Sequence, residues 1–116
     1  MAAGLELISP EVRRFLAERI DSVGQLEVLL LVRSDPARYW SVPEVSAVLR
    51  SDRTWARVQL EELRAHGLLA ARESSEPRYR YHPAGPGLDA VVARLSHSFE
   101  TRRADVIRLV FRKRST

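Results

Sequence analysis

Apolar residues along the chain fall at helical spacing in several separate blocks, each bounded by a polar stop signal. Val12, Phe15, Leu16 and Ile20 share one face behind Ser9-Pro10. That pattern predicts a helix with Ser9 as N-cap and Pro10 at its first position, where the missing N–H costs nothing. From Val23 to Arg33 the sequence VGQLEVLLLVR is apolar almost all round, as expected of a centrally buried helix. Ser22 and Gln25 offer it a capping box, and Ser34-Asp35-Pro36 ends it. Tyr39-Trp40-Ser41 reads as a minor strand. Ser41, Pro43 and Glu44 then signal a helix over 42–50. Beyond the polar turn Ser51-Asp52, the stripe Ala56, Leu60, Leu63 and Gly67 predicts a helix over 52–66, with Gly67 as its C′ residue.

The period then changes to two. An apolar strand (LLAARE, 68–73) and a charged turn (SSEP, 74–77) lead into RYRYHP, where Arg and Tyr alternate. Tyr79 and Tyr81 fall on one face, which predicts packing against neighbouring helices rather than stacking on a ligand. Pro83 to Gly87 is the chain's one Pro/Gly cluster and separates this region from the last periodic run. In that run Leu88, Val92, Leu95, Phe99, Arg102, Val106, Leu109 and Lys113 alternate steps of four and three. An unbroken helix there reaches about 40 Å, against a radius of gyration of about 13 Å for such a domain. It would expose Val106, Ile107, Val110 and Phe111, a candidate homodimer interface. The alternative is a break near Glu100-Thr101 that folds the end back.

Length and composition narrow the picture further. A chain of 116 residues is expected to form a single domain, 1–116, with N-terminal helices over 9–40 and a C-terminal helical segment over 87–114. The absence of cysteine excludes disulfides, thiolate metal sites and a cysteine nucleophile. No basic region precedes an apolar run at the start, and the longest apolar run, Val28 to Val32, is too short for a bilayer. A cytoplasmic protein without membrane association is therefore expected. The net charge of +4 favours a polyanionic partner, but residues 102–114 hold six cations against Asp105, leaving the rest at −1.

Residues 41–83 resemble the winged helix-turn-helix of bacterial transcriptional regulators, particularly small repressors of the multiple-antibiotic-resistance type. The likeness rests on the capped helix SVPEVSAVLR, the Ala56/Leu60/Leu63 stripe, the exit formed by Leu63, Gly67, Leu68 and Leu69, and the hairpin as wing. Flanking helices extend it over most of the chain. It implies a mainly α fold with a small β-hairpin, N-terminal helices before the motif and a long C-terminal helix after it. It also implies a homodimer that binds double-stranded DNA without cofactor or catalysis, reading duplex through the helix 52–66 and the wing 72–82. Ser51, Arg53, Thr54 and Arg57 would then face the groove, with Arg72, Arg78 and Arg80 on the backbone.

Some residues depart from that expectation. With the apolar stripe inward, Trp55 and Val58 fall on the outward face, and Glu61 and Glu62 bring the segment 50–66 to only +1. The other reading is a winged-helix protein-interaction module that modulates a transcription factor or RNA polymerase through Trp55 and Val58. His66, His82 and His97 are scattered without carboxylates at ligand spacing, so no metal site is expected. Ser96, His97 and Ser98 are adjacent and point apart on a helix, so no nucleophile and base are expected there.

Overall fold

The structure, a computed structural model, describes residues 8–115 and the side chains of residues 8–112. The side chains of Lys113 and Arg114, part of the expected basic end, lie outside the described residues. The chain divides into two compact units: Gly24–Ala84, and the segments before and after it. Mainly helical, it adds a small three-stranded antiparallel sheet.

The central unit holds α2 (Val23–Arg33), β1 (Trp40–Ser41), α3 (Val42–Leu49), α4 (Arg53–Ala65), β2 (Leu69–Arg72) and β3 (Arg78–Tyr81), with α1 (Pro10–Arg19) preceding them. Local signals set the helix ends. Ser41 accepts a hydrogen bond from the Glu44 N–H at 3.2 Å, and the Glu44 carboxylate accepts one from the Ser41 N–H at 2.8 Å, completing the capping box. That N–H holds the Glu44 carboxyl below its usual range, with Arg38 assisting. Asp52 caps α4 through the Trp55 N–H at 3.0 Å. Gly67 closes it with φ +80°; the Leu68 N–H reaches the Leu63 carbonyl and the Gly67 N–H the Arg64 carbonyl. The same pair of bonds ends α3, from Ser51 to Ser46 and from Arg50 to Ala47, but there the left-handed position is Arg50 at φ 53°. Three residues, Arg50 to Asp52, thus join α3 to α4.

The sheet runs in the order β1-β3-β2. Trp40 pairs with Tyr79, and Arg72, Ala71, Ala70 and Leu69 pair with Arg78 through Tyr81 in turn. Alternation buries Tyr79 and Tyr81 and leaves Arg78 and Arg80 half-buried on the other face. Opposed residues share a face in this register, so Arg72, Arg78 and Arg80 stand together.

The other unit packs α1 with α5 (Pro86–Thr101) and α6 (Arg103–Ser115). Ser9 caps α1 through the Val12 N–H at 3.2 Å. The C-terminal run is not one continuous helix: Arg102 leaves helical geometry at φ −134°, ψ 44°. The Thr101 hydroxyl donates to the His97 carbonyl at 2.9 Å, a side-chain bond that competes with the helix ladder at this place. Beyond the break α6 packs on α1, and Val106 and Val110 are buried. Two of the four residues expected to be exposed are therefore core. Ile107 is half-buried and Phe111 remains 59% exposed. Among the described residues, no helix is long and apolar enough to cross a membrane.

Candidate nucleic-acid interface

Three of the expected DNA-facing residues, Arg53, Thr54 and Arg57, come together on the exposed first half of α4. With Val42 and Pro43 from the start of α3 and Ser75, Glu76 and Pro77 from the hairpin tip, they line a concave pocket of about 270 Å³. The hairpin tip is fixed locally, since Ser74 Oγ donates to the Glu76 carbonyl at 2.7 Å and accepts from its N–H at 3.2 Å. Sequence reasoning missed the α3 and hairpin-tip residues because nothing in their spacing relates them to α4. Glu76 is the one acid of this lining.

The two carboxylates that lower the charge of this segment are hydrogen-bonded within the protein. Glu61 accepts a hydrogen bond from the Tyr79 hydroxyl and one from Arg64 Nη2 at 3.1 Å. The Tyr79 bond, with Arg64 and Arg57 nearby, holds the Glu61 carboxyl below its usual range despite partial burial. Burial and the Glu61 partner in turn push the Tyr79 hydroxyl up to about 12. Glu62 accepts from Gln25 Nε2 of α2 at 2.7 Å, and the same nitrogen donates to Gln59 Oε1 at 3.1 Å. Gln25 is fully buried, so its amide nitrogen serves this α2–α4 contact.

Trp55 also departs from its expected outward position. Its indole lies against Gly24 of α2, so closely that a Cβ built on Gly24 would stand 2.6 Å from Cζ2. The ring is half-buried as a result. Ser51 is half-buried as well, and its Oγ is out of solvent with no hydrogen-bond partner in the structure. Its carbonyl accepts from the Ser46 hydroxyl. Val58, by contrast, is 45% exposed, as the helical period predicts.

On the outer face of the hairpin, the Arg72 and Arg80 guanidiniums lie over the Tyr39 ring at 4.1 and 5.1 Å from its centroid. Arg78 reaches Glu44 at 3.7 Å, which Arg38 also bridges at 3.3 Å. These surface pairs stay in water and hold their cations loosely.

Neither a family model nor a curated protein matches the chain. Solved structures do. One is the homodimeric winged helix-turn-helix DNA-binding domain of a possible ArsR-family transcriptional regulator from Mycobacterium bovis, at TM-score 0.57 and 20% identity. It aligns over 86% of this chain and 91% of that one. A MarR family transcription regulator aligns at TM-score 0.60 and 23% identity, over 86% of this chain and 66% of its own. A mutant of MarR from E. coli aligns at 0.53 and 16%, over 97% and 84%. The chain has the winged helix-turn-helix fold.

In a winged helix of this order, α3 and α4 are the helix-turn-helix, α4 is its second helix, and β2–β3 are the wing. The wing tip and the start of α4 therefore share one pocket, while the Arg72/Arg78/Arg80 face is built around Tyr39 and Glu44. Among the described residues, no group of three or more His, Cys, Asp or Glu side chains is placed to hold a metal ion.

Proposed function

We propose that this protein is a homodimeric, DNA-binding transcriptional regulator. Arg53, Thr54 and Arg57 of α4 read the major groove, and Arg72, Arg78 and Arg80 of the wing hold the phosphate backbone. The observation that carries this reading is the disposition of charge on α4. Its cations Arg53 and Arg57 are exposed, whereas Glu61 and Glu62 are bound by Tyr79, Arg64 and Gln25. The formal charge of the segment stays at +1, but both carboxylates are held by partners within the protein while Arg53 and Arg57 stay exposed. The pocket between α4 and the wing tip is suited to one sugar–phosphate strand, with Arg53 and Arg57 at its wall.

The protein-interaction reading rested on Trp55 and Val58 forming one apolar surface. The Trp55 ring instead rests on Gly24, and Val58 stands exposed on the face of α4 that carries Thr54. The solved neighbour from Mycobacterium bovis is a homodimer. For this chain the exposed Phe111 on α6 is the residue we place in the subunit contact, because Val106 and Val110 already serve its own core.

Binding to a pool of random duplex DNA, followed by a salt titration, tests the reading. Affinity should fall steeply with salt as counterions are released. Arg57→Ala should weaken the selected site by about 1–3 kcal/mol. Absence of any duplex binding at 50 mM salt (about a third of physiological ionic strength) would refute it. Sedimentation of Phe111→Asp tests the dimer: the variant should be monomeric, and a dimer of unchanged stability would remove Phe111 from the contact.

A further inference from the structure

Val58 is one of only three large apolar side chains exposed among the described residues, with Val48 and Phe111. It sits on the same face of α4 as Thr54, four residues earlier, and next to Arg57 in sequence. Glu61 and Glu62, three and four residues later, are hydrogen-bonded by Tyr79 and Gln25, while Thr54 and Arg57 are exposed. A lone exposed valine on the face of Thr54, which lines the pocket with Arg53 and Arg57, is too small a patch for a protein surface. It is well matched to the one apolar feature of the duplex major groove, the 5-methyl group of thymine.

From this, and resting on the DNA-binding reading above, we infer that Val58, assisted by the methyl of Thr54, is a specificity-determining residue that selects thymine in the major groove. Arg53 and Arg57 carry the charge that brings the helix to the backbone and to guanine edges; Val58 supplies a contact that no phosphate can offer. Residues four apart on a helix are separated by about 6 Å along its axis. That is close to two base steps of about 3.4 Å each, so the two methyl-bearing side chains meet thymines about two steps apart.

Uracil isolates the contact, because replacing thymine removes the 5-methyl and leaves the pairing edge and the O4 acceptor in place. The experiment takes the full chain and a duplex selected from a random pool, and scans single thymine-to-uracil replacements across the site. One buried methyl corresponds to about a fourfold change in affinity. The inference expects thymines whose replacement weakens binding by about that factor, and expects the sensitivity to vanish in Val58→Ala for at least one of them, the thymine met by Val58. Alanine is the best helix former, so the variant preserves α4. Uracil tolerated everywhere by the unaltered protein, or a set of sensitive thymines that is the same in Val58→Ala, overturns the thymine contact while leaving the DNA-binding reading intact. Failure to select any duplex overturns both.

Discussion

Replacing Gly24 by alanine tests the least expected contact in the molecule. The new Cβ would stand 2.6 Å from Trp55 Cζ2 and 3.0 Å from Cη2. Carbon atoms at rest sit about 3.5–4.0 Å apart, so the indole must withdraw by about 1 Å. Overpacking of this kind costs about 1–3 kcal/mol. Against it stands the helix preference for alanine over glycine, up to about 1 kcal/mol in a helix interior and less here, because Gly24 is the second residue of α2. The net expectation is destabilisation by about 1 kcal/mol. In a Trp55→Ala background nothing obstructs the methyl, and the same change becomes neutral or slightly stabilising. Urea denaturation of the four proteins gives the coupling as a change in midpoint at constant slope. The cycle should show about 1–2 kcal/mol of coupling with the sign of a clash. Additivity within about 0.5 kcal/mol would mean that the indole does not rest on Gly24, and the account of Trp55 as an internal residue would fall.

Two further changes probe the motif itself. Tyr79→Phe removes a hydrogen bond to a carboxylate and should cost about 2 kcal/mol near neutral pH. Its pH profile is equally diagnostic. The raised Tyr79 value means a contribution that is complete below the ordinary tyrosine value of 10.0 and lost as the pH climbs towards about 12. The lowered Glu61 value means a contribution present above the ordinary glutamate value of 4.5 and lost as the pH falls through the depressed one. Urea midpoints of the phenylalanine variant should therefore lose the alkaline decline due to Tyr79 and show a weaker acid decline; a profile parallel to the unaltered protein at both ends would refute the pairing. Arg50→Gly should stabilise the chain by up to about 1 kcal/mol, because glycine accepts the left-handed geometry without the Cβ penalty. A thermal midpoint that falls instead would show that the arginine side chain is needed at the α3–α4 turn.

The sequence by itself determined the elements whose causes lie within three or four residues. Ser9 and Ser41 cap the helices they were expected to cap, Asp52 of the expected turn caps α4, Gly67 closes it, and the Ala56/Leu60/Leu63 stripe faces inward. Alternation placed Tyr79 and Tyr81 in the core. Such signals are legible because cap, stripe and pleat are properties of the local backbone, and together they specify a winged helix. Only the tertiary structure decided where side chains at the margin of a face turn. Periodicity put Trp55, Glu61 and Glu62 near the outward side of α4, but Gly24, Tyr79 and Gln25 stand across from them and draw them in. Those partners are 18 to 37 residues away in sequence, and a spacing rule carries no information about what lies opposite. The C-terminal run follows the same logic. Its alternating steps of four and three suit an unbroken helix, yet a turn at Arg102 lets α6 pack on α1 and buries Val106 and Val110. Burying two valines within one chain offsets the bonds lost at the break, and that balance exists only once α1 is in place.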